Sequence, residues 1–311
     1  MNKLNEVKRL IGNTPLIEVS YSYKGKVKTV LAKLEWYNLS GSIKDRPAYE
    51  IIKTAYEKGE LKEGQTICET TSGNMGISIS AIARLINNPV VICMPKFMSE
   101  ERKELLKLYG AKLELTENFI EAFKKSEEYK KNGAYLTYQF ENDNNPKAHF
   151  NGTAKEIFSK LKDIPYFVSG VGTGGTLMGI GSFLKSKLGT KIVALDPKEA
   201  SLLTFGRSMG KHKIQGLSDE IIPKIYDRNL VDSIIQISSD DAVCMAQKLC
   251  KELGLGVGIS SGANFLACVL TEDRAVTVFA DDNKKYLSTD LSGNVKSDLV
   301  DEIKLIGYKV L

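Results

Sequence analysis

Residues 166–187 read YFVSGVGTGGTLMGIGSFLKSK: a short apolar run, a glycine-rich turn, then a longer run with helical spacing. That order predicts a strand, a tight loop and a helix. Gly172, Gly174 and Gly175 let the backbone turn sharply and come close to an anion, while Thr173 and Thr176 add hydroxyls at a helix N-terminus. The loop has the chemistry of a phosphate cup. It is not a Walker loop, because no Gly-Lys-Ser/Thr closes it, and a dinucleotide fingerprint belongs in the first strand–helix unit with an acid roughly 20 residues on. Asp196 follows at about that distance, so spacing leaves a dinucleotide site open, and a glycine loop made only for close packing is the plain alternative.

The same alternation extends in both directions. Candidate strands are residues 29–34, 66–69, 89–94, 112–115, 166–169, 191–195 and 275–279; candidate helices are 46–58, 74–86, 99–109, 119–131, 153–161, 176–187 and 240–253. Short apolar runs between amphipathic ones mark a parallel sheet covered by helices, so the fold class is α/β. The pattern runs once before about residue 150 and again after it, which predicts two α/β lobes with mostly parallel twisted sheets and a cleft between them. In such sheets ligands sit where strand-to-helix loops meet, at the carboxyl ends of the strands.

Composition narrows the chemistry. The 311 residues are 42% hydrophobic and 26% charged, with 43 Lys plus Arg against 38 Asp plus Glu. A net charge of +5 spread among acids, with no basic stripe, disfavours nucleic acid as a partner. No apolar run reaches the ~18 residues of a membrane span and the first residues lack an apolar signal core, so a cytoplasmic protein is expected. The cysteines at 68, 93, 244, 250 and 268 form no Cys-x-x-Cys pair and read as reduced core residues. His149 and His212 are the only histidines, which excludes a multi-histidine metal site and argues against a Ser-His-Asp triad.

Two further loops have the same strand-end character. Residues 69–76, ETTSGNMG, place Thr70, Thr71 and Ser72 before a helix, where hydroxyls and backbone N–H groups suit a carboxylate, or simply cap the helix. Residues 258–264, GISSGAN, open another helix, with a capping role equally open. A phosphate cup and a carboxylate loop in one cleft need an amine to complete a site for pyridoxal 5′-phosphate and an amino acid. Lys44 in NLSGSIKDRPAYE, residues 38–50, follows a small Ser-Gly-Ser turn at a helix entry, where a lysine disfavoured as ammonium can form a Schiff base.

With these motifs in place the chain resembles the cysteine synthase and cystathionine β-synthase family, the tryptophan-synthase-β-like, fold type II pyridoxal-phosphate enzymes. The resemblance runs in family order through IGNTPL at 11–16, AKLE at 32–35, GSIKDR at 41–46, TSGN at 71–74, QF at 139–140, GTGGT at 172–176, IQG at 214–216, GISSG at 258–262 and YLST at 286–289. It implies that Lys44 holds the cofactor as an internal aldimine and later moves the α-proton. It implies that Asn74 contacts the ring oxygen, that Gly172, Thr173, Gly174, Gly175 and Thr176 hold the phosphate, and that Ser260 faces the pyridine nitrogen. Thr71, Ser72 and Gln139 are implied to bind the substrate carboxylate. It further implies a homodimer, a larger cofactor-phosphate domain of residues 1–40 and 151–311, and a smaller mobile domain of residues 41–150. A neutral serine at the ring nitrogen moderates electron withdrawal and favours β-elimination followed by nucleophile addition.

The reaction expected is β-replacement through an α-aminoacrylate, as in a cysteine synthase that turns O-acetylserine and sulfide into L-cysteine and acetate. Three departures from the family pattern bear on substrate. Met75 stands where a threonine is usual, Leu39 replaces a proline, and after Ile-Gln-Gly the chain reads Leu217-Ser218-Asp219-Glu220-Ile221-Ile222-Pro223 in place of a small Gly-Ala-Gly segment. A carboxylate there repels hydrosulfide, yet Asp219 or Glu220 can serve as general base for water or a thiol. That suits an enzyme releasing hydrogen sulfide from L-cysteine with a serine or lanthionine product; solvated loop carboxylates are the alternative. An O-phosphoserine-using relative, and a binding or regulatory protein that kept the fold, also stay open.

Overall fold

The computed structural model describes residues 2–71, 73–217 and 221–311. In chain order the elements are helix α1 (Asn2–Lys8), strands β1 (Leu16–Tyr23) and β2 (Lys26–Leu34), α2 (Asp45–Glu57), β3 (Ile67–Thr70), α3 (Asn74–Leu85), β4 (Val90–Pro95), α4 (Glu100–Leu108), β5 (Lys112–Thr116), α5 (Phe119–Lys131) and β6 (Tyr135–Leu136). There follow α6 (Asn144–Ala148), a π-helical turn at His149–Thr153, α7 (Ala154–Lys160), β7 (Tyr166–Gly170), α8 (Gly175–Leu188), β8 (Lys191–Pro197), α9 (Leu202–Phe205) and β9 (Ser233–Ile237). The chain closes with α10 (Ser239–Leu253), α11 (Ile259–Val269), β10 (Ala275–Phe279), α12 (Asp298–Asp301) and β11 (Lys304–Val310).

Two sheets result. The larger has the order β11-β1-β2-β10-β7-β8-β9, antiparallel around β1 and parallel from β2 onward; the smaller, β5-β4-β3-β6, is parallel throughout. All strands of the smaller sheet fall within residues 67–136, so the α/β class and largely parallel pairing expected from the sequence hold. Strands β4 and β10 are buried at every residue, as parallel strands covered on both faces must be. One core, containing Val19, Phe265 and Phe279, lies under α10 and α11; another, with Phe167, Leu177 and Ile180, lies under α8 on the opposite face. The smaller sheet packs Ile51, Ile79 and Ile92 into its own core, which Leu4, Val7 and Ile11 at the N-terminus also join.

The sequence reading missed β1, β6, β9 and β11. Strand β11 is an edge with no buried residue, alternating between exposed and half-buried to Tyr308 and exposed from there on, and β6 has only two residues, so neither carries a buried apolar run. From Ile17 onward strand β1 alternates Ile, Val and Tyr with Glu and Ser in the manner of antiparallel pairing, which a search for continuous apolar runs passes over.

Candidate active site

The turn before α2 is held from two sides. Ile43 N–H donates to Ala280 O at 2.8 Å and Ser42 bridges Asp281, which anchors the turn to the end of β10. Lys285, itself buried, donates from Nζ to Gly41 O at 2.7 Å and to Ser40 O at 3.3 Å. Asp45 accepts from Ser40 N–H at 2.7 Å and from its hydroxyl at 2.5 Å, closing the turn on itself. Lys44 is thus delivered at the N-terminus of α2, where its side chain lines a cavity between the two sheets.

Arg46 faces the other way, into a buried ion cluster. Its guanidinium donates to both oxygens of Glu35 at 2.6 and 2.9 Å and to both oxygens of Glu156 at 2.7 and 2.9 Å. Lys33 adds an ion pair to Glu156 at 2.7 Å and donates to Thr14 Oγ1 at 2.6 Å. Burial alone would raise the Glu156 carboxyl, but the hydrogen bonds and charge of Arg46, with Lys33, hold it well below the usual carboxylate range.

The loop between β3 and α3 supplies the opposite wall. Thr71 Oγ1 accepts from Gly73 N–H at 3.1 Å. Gly73 sits at φ +142°, and a Cβ there would run into Arg102 Cδ, so the loop requires glycine at this point. Beneath it Glu69 is buried and accepts from Thr70 N–H at 2.7 Å, from the Thr137 hydroxyl and from Gln139 N–H at 3.3 Å. Burial lifts its carboxyl from the ordinary 4.5 to about 7 against those three donors. The Gln139 side chain donates to Thr70 O at 2.8 Å, tying the segment after β6 to the same loop.

On the larger sheet, β7 ends in the glycine loop and α8 starts at Gly175 after Gly174 at φ +84°. A Cβ on Gly172 would collide with Gly216 O, and one on Gly175 with Asn145 Oδ1, so backbone lies where side chains would otherwise fill the space. Asn74 donates from Nδ2 to Asp281 Oδ2 at 2.7 Å, while its Oδ1 is buried without a hydrogen-bond partner. Asp281 also accepts from Tyr286 Oη at 2.8 Å, and the Arg102 guanidinium lies 4.5 Å from the centre of the Tyr286 ring.

One cavity brings together Lys44, Thr71, Asn74, Gln139, Gly172, Thr173, Gly174, Thr176 and Ser260. Gly175 begins the helix behind it, whereas Ser72, Asp219 and Glu220 lie outside the described residues. Asp196 accepts from the Thr204 N–H and hydroxyl at 3.0 Å each and is fully buried, so it holds the start of α9. Sequence reasoning missed Arg102 in the cavity wall, and gave Gln215, Leu217, Asn264 and Tyr286 no task of their own although all four lie in stretches it singled out. Arg102 hides in an amphipathic helix where an arginine ordinarily faces solvent. Among the described residues no group of three or more His, Cys, Asp or Glu could hold a metal ion, and no helix is long and apolar enough to cross a membrane.

A glycine cradle with two hydroxyls, an unpartnered amide oxygen and a lysine in one buried space define an α/β enzyme built to hold an anionic, amine-reactive cofactor beside an amino acid. The family model for pyridoxal-phosphate dependent enzymes matches residues 7–281, and the chain belongs to that family, with pyridoxal 5′-phosphate as its cofactor. It is of the cysteine synthase type: it is 42% identical to cysteine synthase B of Campylobacter jejuni over 298 residues, which span 92% of this chain and 98% of that protein. Cysteine synthase of Staphylococcus aureus is 39% identical over 93% of this chain and 97% of its own length. A hydrogen sulfide-producing enzyme from Fusobacterium nucleatum has a solved structure that superposes with a TM-score of 0.96 at 44% identity, covering 100% of this chain and 99% of that one.

Proposed function

We propose that this enzyme carries out β-replacement on a serine-type amino acid, forming L-cysteine and acetate from O-acetylserine and sulfide. The observation that carries this is the convergence of Lys44, Thr71, Asn74, Gln139, Ser260 and the glycine loop on one buried cavity. The cradle at Gly172 and Gly175 and the unpartnered Asn74 Oδ1 fit the cofactor. Gly172 to Thr176 hold its phosphate, Asn74 its ring oxygen, and Ser260 stands at its pyridine nitrogen without forcing a proton onto it. Lys44 Nζ would hold the cofactor, and it is the group in the cavity placed to take and return the substrate α-proton. Thr71, Ser72 and Gln139 bind the substrate carboxylate. When bound, the cofactor would supply electron withdrawal at the substrate α-carbon, the chemistry that lets the β-acetate be replaced by hydrosulfide.

Residues 41–150 act as a smaller mobile domain that closes the carboxylate loop on the substrate, against a larger domain of residues 1–40 and 151–311. The smaller sheet, confined to residues 67–136, supports this division. The protein is a cytoplasmic homodimer in this reading. Lys44→Ala is expected to abolish cysteine formation and the visible absorbance of the bound cofactor; a variant that keeps both would refute the assignment of Lys44.

A second reading is favoured by the likeness to the hydrogen sulfide-producing enzyme at 44% identity. A variant of that enzyme has been solved with an α-aminoacrylate intermediate. Here the substrate is L-cysteine, hydrogen sulfide leaves, and Asp219 acts as general base for an incoming water or thiol. Feeding L-cysteine alone separates the two readings, and Asp219→Asn should cut sulfide release at least tenfold if Asp219 is the base.

A further inference from the structure

We propose that Asn145 and His149 are positioning residues that aim the two hydroxyls of the glycine loop, so that Thr173 and Thr176 both donate their hydrogens forward to a bound phosphate. The inference rests on the reading that residues 172–176 hold the cofactor phosphate.

Asn145 and His149 are four residues apart, on one face of the helical stretch formed by α6 and the π turn. That face reaches the loop because α8 is approached at Gly179, where a Cβ would meet Pro146 O and His149 Cβ. Both side chains are almost fully buried, at 2% and 1% exposure, so their hydrogen bonds are made within the protein. Asn145 Nδ2 donates to Gln139 O at 2.8 Å and to Thr173 Oγ1 at 2.9 Å. Because Gln139 O is a carbonyl and only accepts, the amide orientation is set by chemistry. Thr173 oxygen is therefore filled from behind, and its own hydrogen is left for the cavity.

His149 does the same for Thr176 through a chain with one consistent direction. Its Nε2 lies 3.4 Å from Thr176 Oγ1 and its Nδ1 lies 3.0 Å from Thr153 Oγ1. Burial, reinforced by the charges of Arg46 and Lys44, keeps the ring neutral, with one donor and one acceptor nitrogen. A phosphate dianion only accepts, so Thr176 must donate to it and receive from Nε2–H. Nδ1 is then the bare nitrogen and accepts from the Thr153 hydroxyl. Phosphate binding thus selects the Nε2–H tautomer.

The test begins with nitrogen-15 NMR of the histidine-labelled wild-type holoenzyme, in which only His149 and His212 contribute. The expected spectrum shows His149 protonated at Nε2; protonation at Nδ1 overturns the inference while leaving the phosphate site standing. The second arm measures pyridoxal-phosphate affinity of the apoprotein. His149→Phe and Asn145→Ala should each weaken it by about tenfold, the worth of one well-placed hydrogen bond. His149→Gln, which keeps a donor near Nε2, should restore most of the loss. In Thr176→Val and Thr173→Val backgrounds the respective effects should vanish. Equal losses with and without the hydroxyl overturn the positioning role. If Thr173→Val and Thr176→Val themselves leave affinity unchanged, the phosphate site has been misassigned and this inference falls with it.

Discussion

Glu69 is a carboxylate without a cationic partner among its hydrogen-bond donors, placed directly under the loop of residues 70–73. Its folded value of about 7 lies above the ordinary 4.5, so the stability it contributes is complete below pH 4.5 and is lost as pH rises through 7. A tenfold change in proton affinity between folded and unfolded chain is worth about 1.4 kcal/mol, which brings the loss to ~3 kcal/mol above pH 8. Glu69→Gln should flatten the dependence of unfolding free energy on pH between 5 and 8, measured by urea denaturation across that range. A wild-type curve already flat over that interval would contradict the assignment. Gly73→Ala belongs to the same loop: a side chain at φ +142° against Arg102 should cost about 1–3 kcal/mol and weaken amino-acid binding, measurable by unfolding and by spectral titration with substrate.

Among the elements, α2 joins the site to the frame. It carries Lys44 at its start and, two residues on, Arg46 in the cluster with Glu35 after β2 and Glu156 in α7. Removing one member of such a buried group strands the others, so Arg46→Ala should lower stability by about 3–5 kcal/mol, and Arg46→Lys should recover little because it cannot form both paired contacts. Thermal unfolding of the two variants checks this. The site elements were the legible ones: β3, β7 and β10 are buried runs, and the loops after β3 and β7 announce themselves by Gly, Ser and Thr. The partners behind them were not legible. Asn145 and His149 reach Thr173 and Thr176 across ~27 residues of chain, and nothing local in an asparagine or histidine codes for a contact made by helix packing. Asp281, the acceptor that orients Asn74, lies 207 residues away from it in sequence.

At the scale of the molecule, the two sheets present their strand ends to one cavity, and the family membership rests on both the chain-long match and that convergence. The reaction class follows from groups that motifs could reveal. In the proposed reading substrate choice turns on the segment after Gly216, where Asp219 and Glu220 lie outside the described residues and the sequence offers composition alone. Cysteine formation at Lys44 is tested by product analysis of the purified holoenzyme given O-acetylserine and sulfide, beside the Lys44→Ala variant. Equal amounts of L-cysteine and acetate are expected from the wild type and neither from the variant. A cofactor-loaded wild type that forms no cysteine, or a variant that forms as much, would contradict the proposed reaction.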